Sequence, residues 1–181
     1  MRIARKAHID GFALNFGKMN ADDSVQHLIS AFNAAITADV KLFFSFDYAG
    51  NGPWEKETVA KLLKSFSPLS SYYRYRSKPL ASTFEGPGNA KDWISIKKDT
   101  GCIFIPDWSS LGAKAAIELG AADGLFNWAA WPWGDTDMDT FGDASYKQFL
   151  DGKPYMMPVS PWFYTNLPGY GKNWLWRGKS P

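Results

Sequence analysis

The stretch from Leu42 to Trp54 constrains the fold more than any other part of the chain. The apolar run Leu42-Phe43-Phe44-Ser45-Phe46 ends on Asp47 and opens into Tyr48-Ala49-Gly50-Asn51-Gly52-Pro53-Trp54. A short apolar run closed by Gly, Asn and Pro predicts a strand buried on both faces, as in parallel sheets, with a loop at its C-terminal end. In α/β proteins that end is where functional groups collect.

The same arrangement recurs along the chain. Ile9 to Phe16 reads as an apolar strand, Pro79 to Glu85 ends on a second acid before Gly86-Pro87-Gly88-Asn89, and Cys102 to Asp107 ends on a third before Trp108. Gly124 to Trp128 and Pro154 to Phe163 complete a set of six. Between them lie segments with helical periodicity: Ser24 to Ala38, Glu55 to Phe66, Ala90 to Lys98, Leu111 to Leu119 and Thr140 to Leu150. Strand and helix in alternation predict parallel βα units with all βα loops on one face. An open doubly wound sheet also fits. Acids and aromatics at nearly every strand end, and the lack of a G-x-G-x-x-G fingerprint after a strand, favour a barrel. The expected fold is therefore α/β, an incomplete (β/α)8 TIM barrel of six parallel strands with interleaved helices, in one domain over residues 1–181. A complete barrel of this kind takes ~250 residues.

Composition narrows the function. Twenty Lys+Arg against eighteen Asp+Glu give a formal charge of +2, with no basic block, so nucleic acid is not an expected partner. No run of ~18 apolar residues is present, so no membrane span is expected. The N-terminus lacks the apolar centre of a signal peptide. Aromatics make up 17% of the chain, with nine Trp, which points to flat platforms on which sugar rings stack. Cys102 lies within an apolar run and reads as a buried, inert thiol. His8 and His27 are far apart in sequence, so no metal site and no cofactor are expected. Asp135, Asp137 and Asp139 read as solvated or helix-start acids.

Several blocks resemble glycoside hydrolase family 71, the fungal endo-α-1,3-glucanases or mutanases. They are Ile9-Asp10-Gly11-Phe12-Ala13-Leu14-Asn15, Ser45 to Trp54, Ser82-Thr83-Phe84-Glu85-Gly86-Pro87-Gly88-Asn89, Ile105-Pro106-Asp107-Trp108-Ser109-Ser110, and Pro154 to Tyr164. The resemblance implies barrel strands two through seven of eight, hydrolysis of α-1,3-glucan with inversion, and a secreted or cell-wall location for the parent protein. It also implies an Asp-x-x-Glu carboxylate motif on a last strand, which these residues do not include. The chain alone is therefore expected to be inactive or poorly soluble, with apolar edges at Ile9–Phe16 and Pro154–Phe163.

Asp47 matches a family position implied to be functional, as a catalytic acid or through sugar hydroxyls. Candidate substrate contacts are Tyr48, Asn51, Trp54, Glu85, Asp107, Trp108, Trp131, Trp162 and Tyr164, all at or just after strand ends, with Trp133 and Asn89 nearby. Trp93, on a helix, reads as packing. Glu85 could instead cap its turn or pair with a neighbouring cation, Asp107 could cap the next helix, and Asn51 and Asn89 could serve their own turns. Two further readings stay open: a non-catalytic α-glucan-binding remnant, and a truncated gene model.

Overall fold

The computed structural model describes residues 2–18, 21–132, 136–160, 162–168 and 175–177. A short helix α1 (Arg2–Lys6) precedes strand β1 (Gly11–Gly17), helix α2 (Ala21–Ala38), β2 (Lys41–Asp47) and α3 (Lys56–Phe66). The hairpin β3 (Arg74–Tyr75) and β4 (Lys78–Phe84) leads through a single turn of 3-10 helix to α4 (Ala90–Thr100) and β5 (Ile103–Phe104). There follow α5 (Ala113–Glu118), β6 (Leu125–Phe126), α6 (Phe141–Leu150), β7 (Tyr155–Met156), β8 (Trp162–Tyr164) and β9 (Leu175–Arg177). The fold is α/β, with parallel strands linked by helices.

The main sheet has five strands rather than six parallel ones: β1, β2, β4 and β5 run parallel in that spatial order, and β3 adds to β4 antiparallel. β6 and β7 form a separate parallel pair. Beyond the β4–β5 ladder, isolated bridges at Asp107, to Phe84 on one side and Phe126 on the other, carry the succession to β6. Proline explains the shortening, because it cannot donate to a ladder. Pro106 interrupts the expected strand Cys102–Asp107, and Pro158 follows β7 closely. The expected strand Pro154–Phe163 is divided accordingly, its last residues pairing antiparallel as β8 with β9.

The two faces of the sheet differ in chemistry because side chains alternate along a strand. From β2, Leu42, Phe44 and Phe46 turn to the helices; Phe43, Ser45 and Asp47 turn away from them. On the helix side Phe44 sits 5.4–5.7 Å from the rings of Phe32, Phe66 and Tyr72, and Trp93 stacks on Phe104 at 3.7 Å. Cys102 is buried there, and burial pushes its thiol up to about 11. On the other face the layers run across the sheet by register: Asn15, Ser45 and Ser82 form one, and Gly17, Asp47, Phe84, Asp107 and Phe126 form the next. This face curls around a cavity of ≈ 390 Å³ bordered by Gly11 of β1 and Tyr155 of β7, with Phe43, Leu80 and Ile105 between them.

Candidate active site

The uppermost layer of that inner face carries the acids. Asp47 and Asp107 are both register partners of Phe84, so they stand two strands apart, about 10 Å at the usual spacing. Asp47 closes β2, and its Oδ1 accepts N–H bonds from Ala49 (2.8 Å) and Gly50 (2.9 Å), an Asx turn that fixes the carboxylate. Gly50 packs closely on this carboxylate, since a Cβ there would fall 3.1 Å from Asp47 Oδ2.

Asp107 is fully buried. Its Oδ1 accepts the backbone N–H of Ser109 at 3.2 Å and the Ser109 hydroxyl, while its Oδ2 has no hydrogen-bond partner. Burial pushes the Asp107 carboxyl up to about 6; the bonds from Ser109 oppose that shift and the nearby Glu85 adds to it. Glu85 follows Phe84 with a φ of 53°, a left-handed conformation uncommon for a residue bearing a side chain, and such strain clusters at functional sites. Glu85 Oε1 accepts the Ser110 N–H at 3.1 Å, and Oε2 accepts the Ser110 hydroxyl. The backbone joins in: Glu85 N–H donates to Asp107 O at 2.8 Å, and Trp108 Nε1–H to Glu85 O at 3.1 Å. Two consecutive serines thus hold two acids from two strands.

The aromatic platforms are not where the sequence placed them. Tyr48, Trp54 and Trp108 are buried, not exposed at the rim. Tyr48 and Trp108 each immediately follow an inward acid, so alternation turns them toward the helices, and burial pushes the Tyr48 phenol up. Gly86, with φ +86°, makes room for Tyr48, because a Cβ there would lie 2.4 Å from its Cγ. Trp54 packs edge-on to Phe16 and Phe46 and donates Nε1–H to Asp47 O at 3.0 Å. Asn51 is exposed but ties the β2 loop to β1 by donating to Lys18 O at 3.0 Å. Asn89 Nδ2 donates to Asp92 Oδ2 at 3.2 Å.

Trp131 is half-buried and lines a cleft of ≈ 270 Å³ with Asn127, Asp137 and Asp143. Asp139 accepts the Phe141 N–H at 2.9 Å at the start of α6. Tyr164 is exposed on β8; Trp133 and Asp135, and the side chain of Trp162, lie outside the described residues. Trp93 is a packing residue.

Residues that the sequence reading passed over complete the site. Trp128 is 43% exposed and meets Phe84 and Phe126 edge-on at 5.0 and 5.8 Å. It lies two positions beyond the inward-facing Phe126, as Ser109 lies two beyond Asp107, and period-two counting from the strand ends points to both. The Trp128 N–H donates to Ser109 Oγ at 3.0 Å, and Asn127 Oδ1 accepts from Ala129 N–H at 3.1 Å. From α6, Tyr146 borders Ser109, Asp107 and Glu85, and Tyr155 donates its hydroxyl to Asp143 at 2.8 Å. An acid pair, an open indole and hydroxyl donors on one rim suit the binding and hydrolysis of a polyol chain. Among the described residues no cluster of His, Cys, Asp or Glu could hold a metal ion, and no helix is long and apolar enough to cross a membrane.

Comparison with known proteins accords with this chemistry. The glucan endo-1,3-alpha-glucosidase agn1 of Schizosaccharomyces pombe is 35% identical over 186 residues, covering 93% of this chain and 42% of that protein. A mutanase of Penicillium rubens, Pc12g07500, is 31% identical over 183 residues, covering 97% of this chain and 40% of its own length. The chain thus spans less than half of these relatives. Two structures of the GH99 endo-alpha-mannosidase from Bacteroides thetaiotaomicron share the fold at 17% sequence identity. The complex with bis-tris propane gives a TM-score of 0.67 over 94% of this chain and 58% of that one. The other gives 0.60 over 89% and 52%. The profile of glycosyl hydrolase family 71 matches residues 1–181, and the chain belongs to that family.

Proposed function

We propose that this chain forms part of the substrate cleft of an enzyme that hydrolyses α-1,3-glucosidic bonds in α-1,3-glucan by inverting acid/base catalysis. The observation that carries the reading is the single rim on which Asp47, Glu85, Asp107 and Trp128 stand together. Inversion needs carboxyl groups ~6.5–9.5 Å apart, with room for water between them. Asp47 is the candidate catalytic residue of this segment, its Oδ2 free of the Asx turn to meet water or the reacting sugar. Asp107, Glu85, Trp131 and Tyr164 are candidate substrate contacts, and the carboxylates of the Asp-x-x-Glu motif that the family resemblance implies would complete the catalytic set.

The sheet is read as an arc of a (β/α)8 barrel, which the cavity shared by β1 and β7 supports. Its edges at β1 and β7 are where further strands would pair.

Incubation with α-1,3-glucan tests the function, with released oligosaccharides measured by chromatography and the new anomer by NMR. Release of products with the inverted configuration, lost in Asp47→Asn, is the expected result for the complete protein. Glucan pull-down without release by that protein would replace hydrolysis by a binding role.

A further inference from the structure

The helix side of the sheet holds a cavity of its own, larger than the one on the inner face. Helix α3 packs on α4 but scarcely touches α2. Large rings keep α2 and α3 apart: Phe32 of α2 meets Phe66 of α3 with ring centroids 5.0 Å apart. Beside that contact lies a channel of ≈ 650 Å³, floored by Phe16 of β1 and by Phe66. Val25 and Ile29 of α2 form one wall, one turn apart, and Leu62 of α3 and Leu69 form the other. Val25 and Ile29 are 42% and 39% exposed, an apolar surplus beyond Leu28, Phe32 and Ala35, the buried residues through which α2 is seated.

Single apolar residues at a surface are ordinary, but a concave apolar channel of this volume falls in the range of small-molecule sites. A saccharide does not match it. Trp54 borders the channel but is buried and edge-on to Phe16 at 5.3 Å, so it offers no open ring face. Among the described residues no buried polar side chain lines the walls to receive hydroxyls; Asn33, Thr58 and Ser65 are exposed. Charge at the rim is asymmetric. Lys18 is neutralised by Glu55 at 3.1 Å, whereas Lys61 has no carboxylate partner among the described residues, and Glu57, one turn before it, pairs with Lys56 at 3.9 Å. An aliphatic trough edged by one uncompensated ammonium is complementary to an alkyl chain that ends in a carboxylate.

We propose that the channel between α2 and α3 is a binding site for a medium-chain carboxylate, whose alkyl chain lies between Ile29 and Leu62 while its head group meets Lys61. The site faces the opposite side of the sheet from Asp47 and stands independently of the saccharide reading. Removal of methylenes from water supplies the affinity, and the exposed ammonium selects the sign of the head group while adding little strength.

The test titrates octanoate, decanoate and dodecanoate calorimetrically into the complete protein, each below the concentration at which it forms micelles. Saturable binding to a single site is expected, tightening by up to about fourfold for each added methylene. Decyltrimethylammonium, with the same apolar body and the opposite charge, should bind several-fold more weakly than decanoate. Lys61→Glu should reverse that preference. Ile29→Trp, which fills the channel from a partly exposed position, should abolish binding of all three carboxylates with the melting temperature retained. Thr58→Trp, from the exposed side of α3, is a second blocking variant that keeps the test decisive if the first destabilises the fold. Absence of saturable binding, or binding that persists in both blocking variants, would overturn the site. Equal affinity for the anionic and cationic chains, unchanged in Lys61→Glu, would overturn the assignment of a carboxylate ligand.

Discussion

The two faces of one sheet solve opposite problems. On the helix side of β2, Phe44 and Phe46 are fully buried among rings from three helices, a neighbouring strand and the β3 approach, with no polar atom to satisfy. One residue along, Ser45 and Asp47 face the other way and depend on hydrogen bonds: Ser45 Oγ to Asn15 Oδ1 at 2.9 Å, Asp47 to its own turn. The outer face holds the strands together by area and packing. The inner face contributes less to stability, and at Asp107 it opposes folding, because a carboxyl with an orphaned oxygen is kept out of water. A feature that costs stability and is built with this much local support has the character of a functional site.

If that division is right, substitutions on the two faces should separate by size and by sign. Phe44→Ala should have the largest effect, a loss of about 3–5 kcal/mol in chemical denaturation, because it removes a large ring from a packed cluster. Ser45→Ala, on the neighbouring residue, should cost about 0.5–1.5 kcal/mol. Equal losses at the two positions would break the comparison.

Asp107→Asn should do the reverse and stabilise the fold. The folded carboxyl has a value raised from 3.8 to about 6. Between those values the folded state holds a proton that the unfolded chain has released. Stability therefore falls as pH rises through that window and levels off above it. The variant escapes this loss, so it should gain about 2–3 kcal/mol at pH 7 and nothing below pH 4. Thermal melts at the two pH values check it, and an equal gain at both would place the cause outside Asp107 ionisation.

How far the sequence revealed these faces depended on counting in twos. The strand-end acids were legible because an apolar run ending on Asp is visible in the chain, and Asp47 and Asp107 do share a register layer with Phe84. Proximity to a strand end was a poor guide to the aromatics, because one residue decides the face. Tyr48 and Trp108, one step past inward acids, went to the core, while Trp128, two steps past Phe126, stayed open. The β3–β4 hairpin was illegible for another reason. Its two turn residues, Arg76 and Ser77, take φ values of 48° and 67°, where turns of this kind ordinarily use Asn or Gly. The double serine clamp was also hidden, since Ser110 reaches an acid 25 positions away.

Gly86→Ala sharpens the comparison at the seam between the faces, where Gly86, next after Glu85 on the rim, packs against Tyr48 in the core. It combines a positive φ with a Cβ 2.4 Å from the Tyr48 ring, so a loss of about 1–3 kcal/mol is expected in denaturation. Asp47→Asn keeps the Asx-turn acceptor and should leave the melting temperature nearly unchanged, which makes it the matched control.

Trp128→Ala should show the smallest loss of stability among the aromatic and glycine substitutions, although tryptophan is the largest residue. Its ring is 43% exposed and meets Phe84 and Phe126 only edge-on, contacts worth about 0.5–1.5 kcal/mol each at most. Relaxation of those two rings over the vacated space should bring the net loss to about 1 kcal/mol. The Trp128 N–H bond to Ser109 Oγ survives, because it belongs to the backbone. A ring that contributes little to folding while standing open beside a buried acid is available for a ligand. Should Trp128→Ala instead unfold the chain as severely as Phe44→Ala, the ring would be core, and the inner rim would lose its platform.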